Sequence, residues 1–264
     1  QSVVVDNRGG AGGNIAMELV TRSPADGHTL MLALTPQLAV NGALYPKLGY
    51  DPIHGFTPIS LIAEAPYLLL VHPSLQVNTV QELMALAAQD KGKLAYASSG
   101  SGSGGHMAAE LLIHLSGVAM THVPYKGGGP ALSDVLAGHV KVIFAPAVSS
   151  MQYIQSGRLK PLAVSGKKRL ASLPQVPTMA EAGIAGYDST VWYALLAPAN
   201  TPRDIVQRLY AELLQTLKDP SFKSMMAANG IEPLGTTPEE LSSHITQEIA
   251  KWSKVVKSSG MRAD

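Results

Sequence analysis

The chain has 264 residues, none of them cysteine, and only 15% of them are charged. The lack of cysteine excludes disulfides, thiolate metal sites and a cysteine nucleophile. Acids and bases are interspersed, the formal net charge is +1, and no lysine and arginine run is present. We therefore expect no nucleic-acid partner. No apolar run approaches the roughly 20 residues of a membrane span, so direct membrane insertion is not expected either.

Motifs for catalysis and metal binding are also lacking. None of the eight histidines forms an HExxH-type pair, and neither a G-x-S-x-G elbow nor a P-loop occurs. Ser99, His106 and Asp134 are the residue types of a catalytic triad, but the sequence does not show that their side chains lie within hydrogen-bond distance. We therefore expect no enzyme, no bound metal and no cofactor.

Strand-like and helix-like segments alternate along the chain. Apolar, β-branched residues 2–5 predict a buried strand, and residues 58–62 and 67–71 predict two more. Capping signals open three helices, at Thr79, Thr178 and Thr237. Alternation of this kind predicts an α/β fold with a mixed, mostly parallel sheet, or two such sheets.

The most informative segment is the serine/glycine loop, residues 98–106, which follows a strand and opens a helix. Its glycines let the backbone approach a ligand, and the first N–H groups of the helix have no partner within the helix. Serine hydroxyls add donors, so the loop suits a carboxylate or a phosphate. A surface loop with an ordinary serine cap remains the alternative.

A dinucleotide site is a second alternative for this loop. Gly100, Gly102 and Gly105 satisfy G-x-G-x-x-G in a strand–turn–helix context. Such a site also needs an acid at the end of the next strand to bind ribose, about 20 residues on. The next strand ends in residues 122–126, HVPYK, which contain no acid. This absence weakens the alternative of a nicotinamide-dependent oxidoreductase.

Two more strand–helix junctions are candidate supports for an anion. One contains Tyr125, Lys126 and Gly127, although Lys126 can equally be a solvated surface lysine. The other begins at Thr35, whose hydroxyl can cap a helix or reach a ligand. Trp192 lies in an apolar strand, where a core position and a ligand-facing position both remain open.

Five segments, in order along nearly the whole chain, resemble the Bug-type extracytoplasmic solute receptors of tripartite tricarboxylate transporters. The matching motifs are ENRPGAGGN, YASSGxG, HVPYKG, LPDVPTxAEAG and LLAPAGTP, found at residues 6–14, 96–102, 122–127, 173–183 and 195–202. The resemblance implies a two-lobed periplasmic-binding-protein fold of type II that closes on its ligand. It also implies lobe boundaries at 1–98 plus 197–264 for the first lobe and 99–196 for the second.

The resemblance further implies a periplasmic monomer that captures a small organic carboxylate and delivers it to membrane transporter subunits. A sensor of the same fold, signalling to a membrane partner, is the alternative. Backbone donors and ordered waters hold ligand carboxylates in such receptors. The resemblance therefore implies ligand contacts at matching positions of this sequence, and other residues that could line the cleft are added to them. The full set of candidate ligand-binding residues is Thr35, Ser98, Ser99, Gly100, Ser101, His106, Tyr125, Lys126, Gly127, Ala145 and Trp192.

Two departures from the family pattern shape the expectations. Family members begin with an extra strand and a PFPPGGxxD-type loop opposite the serine/glycine loop, and that segment is not in this sequence. We therefore expect one half of the carboxylate clamp in this chain. Many members also carry an acid where this sequence has Ala145. Without it, a plain carboxylic acid or an amide-type ligand is favoured over an amino acid.

Overall fold

The computed structural model describes residues 2–8, 11–228 and 230–261. It divides into two compact units, each assembled from several stretches of the chain. The first unit takes its residues from Gln1–Ala63, Trp192–Ser224 and Pro233–Lys257, and the second from Glu64–Val191, Met225–Glu232 and Ser258–Asp264. Within the described ranges, no helix is long and apolar enough to cross a lipid bilayer.

Helices and strands alternate through most of the chain, as the sequence predicts. The first half contains α1 (Asn14–Thr21), β1 (Met31–Leu34), a π-helical turn (Pro36–Val40), α2 (Asn41–Leu44), β2 (Phe56–Val71), α3 (Val80–Gln89), β3 (Ala95–Ser98), α4 (Gly104–Ser116) and β4 (Thr121–Pro124). The second half contains α5 (Gly128–Leu136), β5 (Val142–Pro146), α6 (Ala147–Gln155), β6 (Lys160–Val164), β7 (Thr190–Pro198), α7 (Arg203–Lys218), α8 (Pro220–Ala228), β8 (Glu232–Pro233) and α9 (Pro238–Ser259).

The sheet of the second unit is mixed. Strand β3 runs parallel to both β4 and β5. Strand β2 pairs antiparallel with β5 and with β6, so Leu69 lies opposite Phe144 on one side and Ala163 on the other. The mixed, mostly parallel sheet expected from the sequence is confirmed in this unit. Strands β3, β4, β5 and β6 run in one direction, and β2 runs against its neighbours β5 and β6.

The core of the second unit forms where helices cover this sheet. Leu68 and Leu70 alternate onto one face of β2 and belong to the same buried cluster as Ile143 of β5. Helix α5 contributes Ala131 and Val135, whose spacing of four residues places them on one side of the helix. This packing fixes the start of α5 next to the ends of the strands, which is where the candidate site lies.

The first unit is built around an antiparallel pair. Ala33 of β1 lies opposite Ala194 of β7. Ile59 of β2 packs with Ala197 of β7 and Val206 of α7 in a buried cluster. Small and β-branched side chains on neighbouring strands allow this close packing beneath the helix.

Three sequence predictions of local structure are corrected. Residues 2–5 form no strand, and Val3, Val4 and Val5 are 78–88% exposed, because β propensity needs a pairing strand to act on. The two strands predicted at 58–62 and 67–71 are one continuous strand, β2. The capping signal at Thr178 opens only a turn, although its reciprocal bonds to Glu181 form at 2.8 and 3.1 Å.

The unit boundaries also differ from the expected lobe boundaries. Residues 64–98, expected in the first lobe, group with the second unit. The reason is that the later part of β2 pairs with β5 and β6, and β3 pairs with β4 and β5, all within the second unit. The chain enters the second unit in the middle of β2 and leaves it near the start of β7.

Candidate functional site

A cavity of about 320 Å³ lies in the second unit where several strands end and helices begin. Its walls come from β2, from the serine/glycine loop, from the first turns of α4, α5 and α6, and from β5. The lining residues are Tyr67, Ser99, Gly105, Gly128, Gly129, Leu132, Ile143, Phe144, Ala145, Pro146 and Ser149. Ligand sites of α/β sheets form at such carboxyl ends of strands, because the N–H groups of several helix starts converge there.

Glycines shape this cavity for two different reasons. A Cβ atom at Gly105 would lie 2.6 Å from the carbonyl oxygen of Phe144, so α4 can approach β5 only without a side chain there. Gly128 and Gly129 would place a Cβ in open space, since nothing lies within 4 Å of it. The backbone at the start of α5 is therefore accessible from the cavity.

Within the serine/glycine loop, Ser98 is turned inward. Its side chain is buried, and its Oγ lies 2.6 Å from Nε2 of His122. The same Oγ accepts the N–H of Gly100 at 3.2 Å. Ser99, the next residue, is exposed and lines the cavity. The loop thus uses one serine to fix its own shape and presents the following serine to the cavity.

His106 is also part of the wall behind the loop. Its Nδ1 accepts the N–H of Gly102 at 3.0 Å, and its Nε2 lies 3.6 Å from Oε1 of Glu110. The ring is buried and stacks on His122, with centroids 3.8 Å apart. Tyr96 donates its hydroxyl to the same Oε1 of Glu110 at 2.5 Å. Neither Ser98 nor His106 lines the cavity, and their direct contact with a ligand stays a prediction.

The electrostatics of this buried cluster favour an ionised Glu110. Burial raises the pKa of Glu110, but the contacts with His106 and Tyr96 outweigh it, so that the pKa lies below its ordinary value. Burial and the neighbouring carboxylate of Glu110 raise the pKa of Tyr96 well above its ordinary value. Tyr96 therefore stays a hydrogen-bond donor to a charged acceptor.

The junction at residues 125–127 supports the loop from the side of β4. The Tyr125 N–H donates to the Ser98 carbonyl at 3.0 Å, and the Tyr125 hydroxyl donates to Oδ2 of Asp134. Burial and this bond raise the pKa of Tyr125 to about 12. Lys126 is exposed and does not line the cavity. Gly127 adopts φ 114° immediately before α5, a conformation that suits glycine.

Two predicted site residues belong to the first unit. The hydroxyl of Thr35 accepts the backbone N–H of Trp192 at 2.9 Å, and both side chains are buried. The indole N–H of Trp192 donates to Oε2 of Glu248 at 3.2 Å. The structure therefore gives Thr35 and Trp192 packing roles in the first unit, and their contact with a ligand stays a prediction.

The cavity contains one predicted residue from outside the loops and several that sequence reasoning missed. Ala145, at the end of β5, lines it as a small apolar group. Gly128 and Gly129 are the two residues that follow the predicted Gly127, and their GGGP context was a usable signal. No sequence signal pointed to Tyr67 or Ser149. Tyr67 is brought opposite Pro146 only by the pairing of β2 with β5.

A larger cavity of about 560 Å³ lies in the first unit, near the starts of α7 and α9. Its walls are mainly apolar and carry charges of both signs, Arg203 and Glu239. Opposite charges on one wall do not select an anion. We therefore place the candidate site in the smaller cavity, where helix starts and serine hydroxyls converge.

Comparison with solved structures confirms the expected α/β receptor fold. The R. palustris protein Rpa4515, solved with adipate, is 39% identical and superposes with a TM-score of 0.87, covering 99% of this chain and 88% of its own. MatC from Rhodopseudomonas palustris, solved with bound malate, is 32% identical with a TM-score of 0.79, covering 94% of this chain and 85% of its own.

Sequence comparisons agree with this structural likeness. Protein BugT of Bordetella pertussis is 34% identical over 99% of this chain and 81% of its own length. The family model described as the tripartite tricarboxylate transporter family receptor matches residues 1–261. The match covers the cavity-lining loop, the GGGP junction and both units. The chain therefore belongs to the TctC family of tripartite tricarboxylate transporter receptors.

Proposed function

We propose that this protein captures a small organic carboxylate in the periplasm, using the cavity of the second unit, and delivers it to membrane transporter subunits. The proposal rests on one observation: Ser99 of the serine/glycine loop and the start of α5 line the same cavity. Helix N-terminal N–H groups carry partial positive charge and have no partner within the helix, so they favour a carboxylate. The likeness to Rpa4515, solved with adipate, and to MatC, solved with bound malate, supports the same ligand class.

The chemistry of the cavity fits capture rather than turnover. A receptor needs donors that are already aimed at the ligand, and it needs no acid–base pair or nucleophile in contact with it. The lining hydroxyls come from Tyr67, Ser99 and Ser149, and the remaining walls are glycine and apolar groups. We propose a monomer without catalytic activity as the acting form.

The cavity also favours a plain acid over an amino acid. Ala145 supplies no carboxylate for a ligand ammonium group, and the lining residues include no aspartate or glutamate. An amino-acid ligand would therefore place its positive charge against walls that offer no opposite charge. Dicarboxylates and aromatic acids fit this environment better.

Calorimetry against a panel of adipate, malate, citrate, aromatic acids, nicotinate and amino acids tests the proposal. We expect binding of at least one acid and none of the amino acids. The absence of binding to every acid, with a protein that unfolds cooperatively, would refute the proposal.

A charge-matched pair of variants localises the site. Gly129→Asp adds a carboxylate at the cavity wall, in open space and in the first turn of α5, where an acid suits the helix. Repulsion of the ligand anion should lower its affinity about tenfold or more. Gly129→Asn has nearly the same shape without the charge, and should lie within about threefold of the wild type. Equal affinities for the two variants would contradict the placement.

A further inference from the structure

Two backbone N–H groups of the serine/glycine loop point away from the cavity. The Gly100 N–H donates to Ser98 Oγ, and the Gly102 N–H donates to His106 Nδ1. Both acceptors are side chains of buried residues. The shape of the loop, and with it the presentation of Ser99, therefore depends on acceptors buried behind it.

The second of these bonds sets a condition on His106. A ring nitrogen accepts a hydrogen bond only when it carries no proton. Nδ1 of His106 accepts from Gly102, so the proton of the neutral imidazole must sit on Nε2. The opposite tautomer, or the imidazolium, would set an N–H of the ring against the N–H of Gly102 and break the bond.

Titratable groups from three elements face the His106 ring. Glu110, from the same helix α4, places Oε1 at 3.6 Å from Nε2. His122, from β4, stacks on the ring at 9° from parallel. Tyr96, from β3, lies with its ring centroid 6.3 Å away and donates to Glu110. The negative charge thus lies on the Nε2 side of the ring, and the backbone donor lies on the Nδ1 side.

We propose that Glu110 is a positioning residue of the ligand site: it selects the Nε2–H tautomer of His106, and His106 then holds the serine/glycine loop through the Gly102 N–H. The distance of 3.6 Å is long for a hydrogen bond, so Glu110 acts mainly through its charge. Tyr96 keeps the carboxylate in place by donating to it, and the stacked His122 ring fixes the plane of His106. Glu110, Tyr96 and His122 do not line the cavity.

The consequence for binding rests on the proposed function, because it assumes that Ser99 and its neighbours contact the carboxylate. A loop whose Gly102 bond is intact presents Ser99 in one arrangement. A loop with a mixed population of His106 tautomers must be reordered when a ligand binds, which lowers the apparent affinity.

The tautomer itself can be measured without any ligand. We expect ¹⁵N NMR of the imidazole to place the proton of His106 on Nε2 in the wild type at neutral pH. Glu110→Gln keeps the side-chain shape and removes the charge, and should give a mixture of both tautomers. The Gly102 amide should then exchange with solvent faster than in the wild type, while amides in the middle of α4 keep their protection.

A double-mutant cycle connects the tautomer to binding, with adipate and malate as probes. Asparagine at position 106 offers an amide oxygen near the place of Nδ1 and has no tautomers, so His106→Asn should keep the acceptor for Gly102. We expect Glu110→Gln to lower affinity roughly three- to tenfold in the His106 protein. The same change in the His106→Asn background should lower it by less than about twofold.

Two results would overturn the inference. One is a wild-type His106 that carries its proton on Nδ1. The other is an equal loss of affinity on Glu110→Gln in both backgrounds, which would mean that Glu110 acts through general stability. If the wild-type protein binds no acid of the panel, the proposed function fails, and the tautomer and amide-exchange measurements still decide the role of Glu110.

Discussion

Trp192 donates its indole N–H to Oε2 of Glu248 across 3.2 Å, deep in the first unit. Trp252 donates to the same oxygen at 2.9 Å. The other carboxylate oxygen of Glu248 pairs with Lys251 at 2.5 Å. One buried carboxylate therefore satisfies both indole groups, and the pairing ties β7 to α9.

Replacing Glu248 should be costly for the first unit. Glu248→Ala leaves two buried indole N–H groups without their acceptor and removes the ion pair with Lys251, which should lower the free energy of unfolding by about 2–4 kcal/mol. The chain has only two tryptophans, and both are in this contact, so urea unfolding followed by tryptophan fluorescence reports on it directly. Exposed Glu212→Ala on α7 is the control, with an expected change below about 0.5 kcal/mol. Similar losses for the two variants would contradict this account.

Two glycines of the cavity wall should respond in opposite ways to alanine. Gly105→Ala sets a Cβ 2.6 Å from the Phe144 carbonyl, so α4 must shift, at a cost of about 1–3 kcal/mol. Gly129 lies in the first turn of α5, and a Cβ added there has no atom within 4 Å. Gly129→Ala should therefore raise the free energy of unfolding by about 0.5–1 kcal/mol, because alanine favours the helix. Thermal and urea unfolding measure both. A stabilised Gly105→Ala variant would mean that α4 lies farther from β5 than described.

Glu64 should make the second unit less stable at neutral pH than a neutral residue would. Burial raises the pKa of Glu64, and repulsion from Asp188 and Glu232 adds to it, while Lys167 acts in the opposite direction. A carboxyl group with a raised pKa in the folded state binds protons more readily when folded, so its destabilising effect is present above that pKa. The effect disappears as pH falls towards the unfolded value of about 4.3.

Glu64→Gln should therefore raise the urea midpoint at pH 7 and not at pH 4. The gain should be modest, below about 1 kcal/mol, because solvent screens a half-buried carboxylate. Glu212→Gln, on the exposed side of α7, supplies the matched control and should change neither midpoint. A Glu64→Gln gain that is the same at both pH values would rule out the charge as its cause.

Features of the fold that depend on short-range hydrogen bonds were predictable from the sequence. The capping box at Thr237 forms with Glu240 and opens α9. Thr79 caps α3 by accepting the N–H of Glu82, while the Glu82 carboxylate accepts the N–H of the preceding residue, Asn78. The strand–loop–helix context of residues 98–106 is also as predicted, with Ser103 capping α4. These features depend on side chains within a few residues of the backbone groups they satisfy, so spacing alone reveals them.

The placement of the ligand site was only partly predictable. The serine/glycine loop and the junction before α5 were recognisable as strand–glycine–helix segments, and Ser99 lines the cavity. The inward turn of Ser98 and His106 was not predictable, because it depends on His122 of the parallel neighbour β4 and on Glu110 one turn along α4. Sequence spacing cannot tell which side of a loop meets a neighbouring strand.

The sequence by itself determined the α/β class, the receptor family and the helix caps, since motif order and short-range hydrogen bonds carry that information. Tertiary structure alone decided that residues 56–71 are one strand, that residues 2–5 are exposed and that Tyr67 belongs to the cavity. The physical reason is that strand pairing and burial depend on partners distant in the chain. The same partners decide which N–H groups of the serine/glycine loop stay inside the protein, and so which part of the loop a ligand can reach.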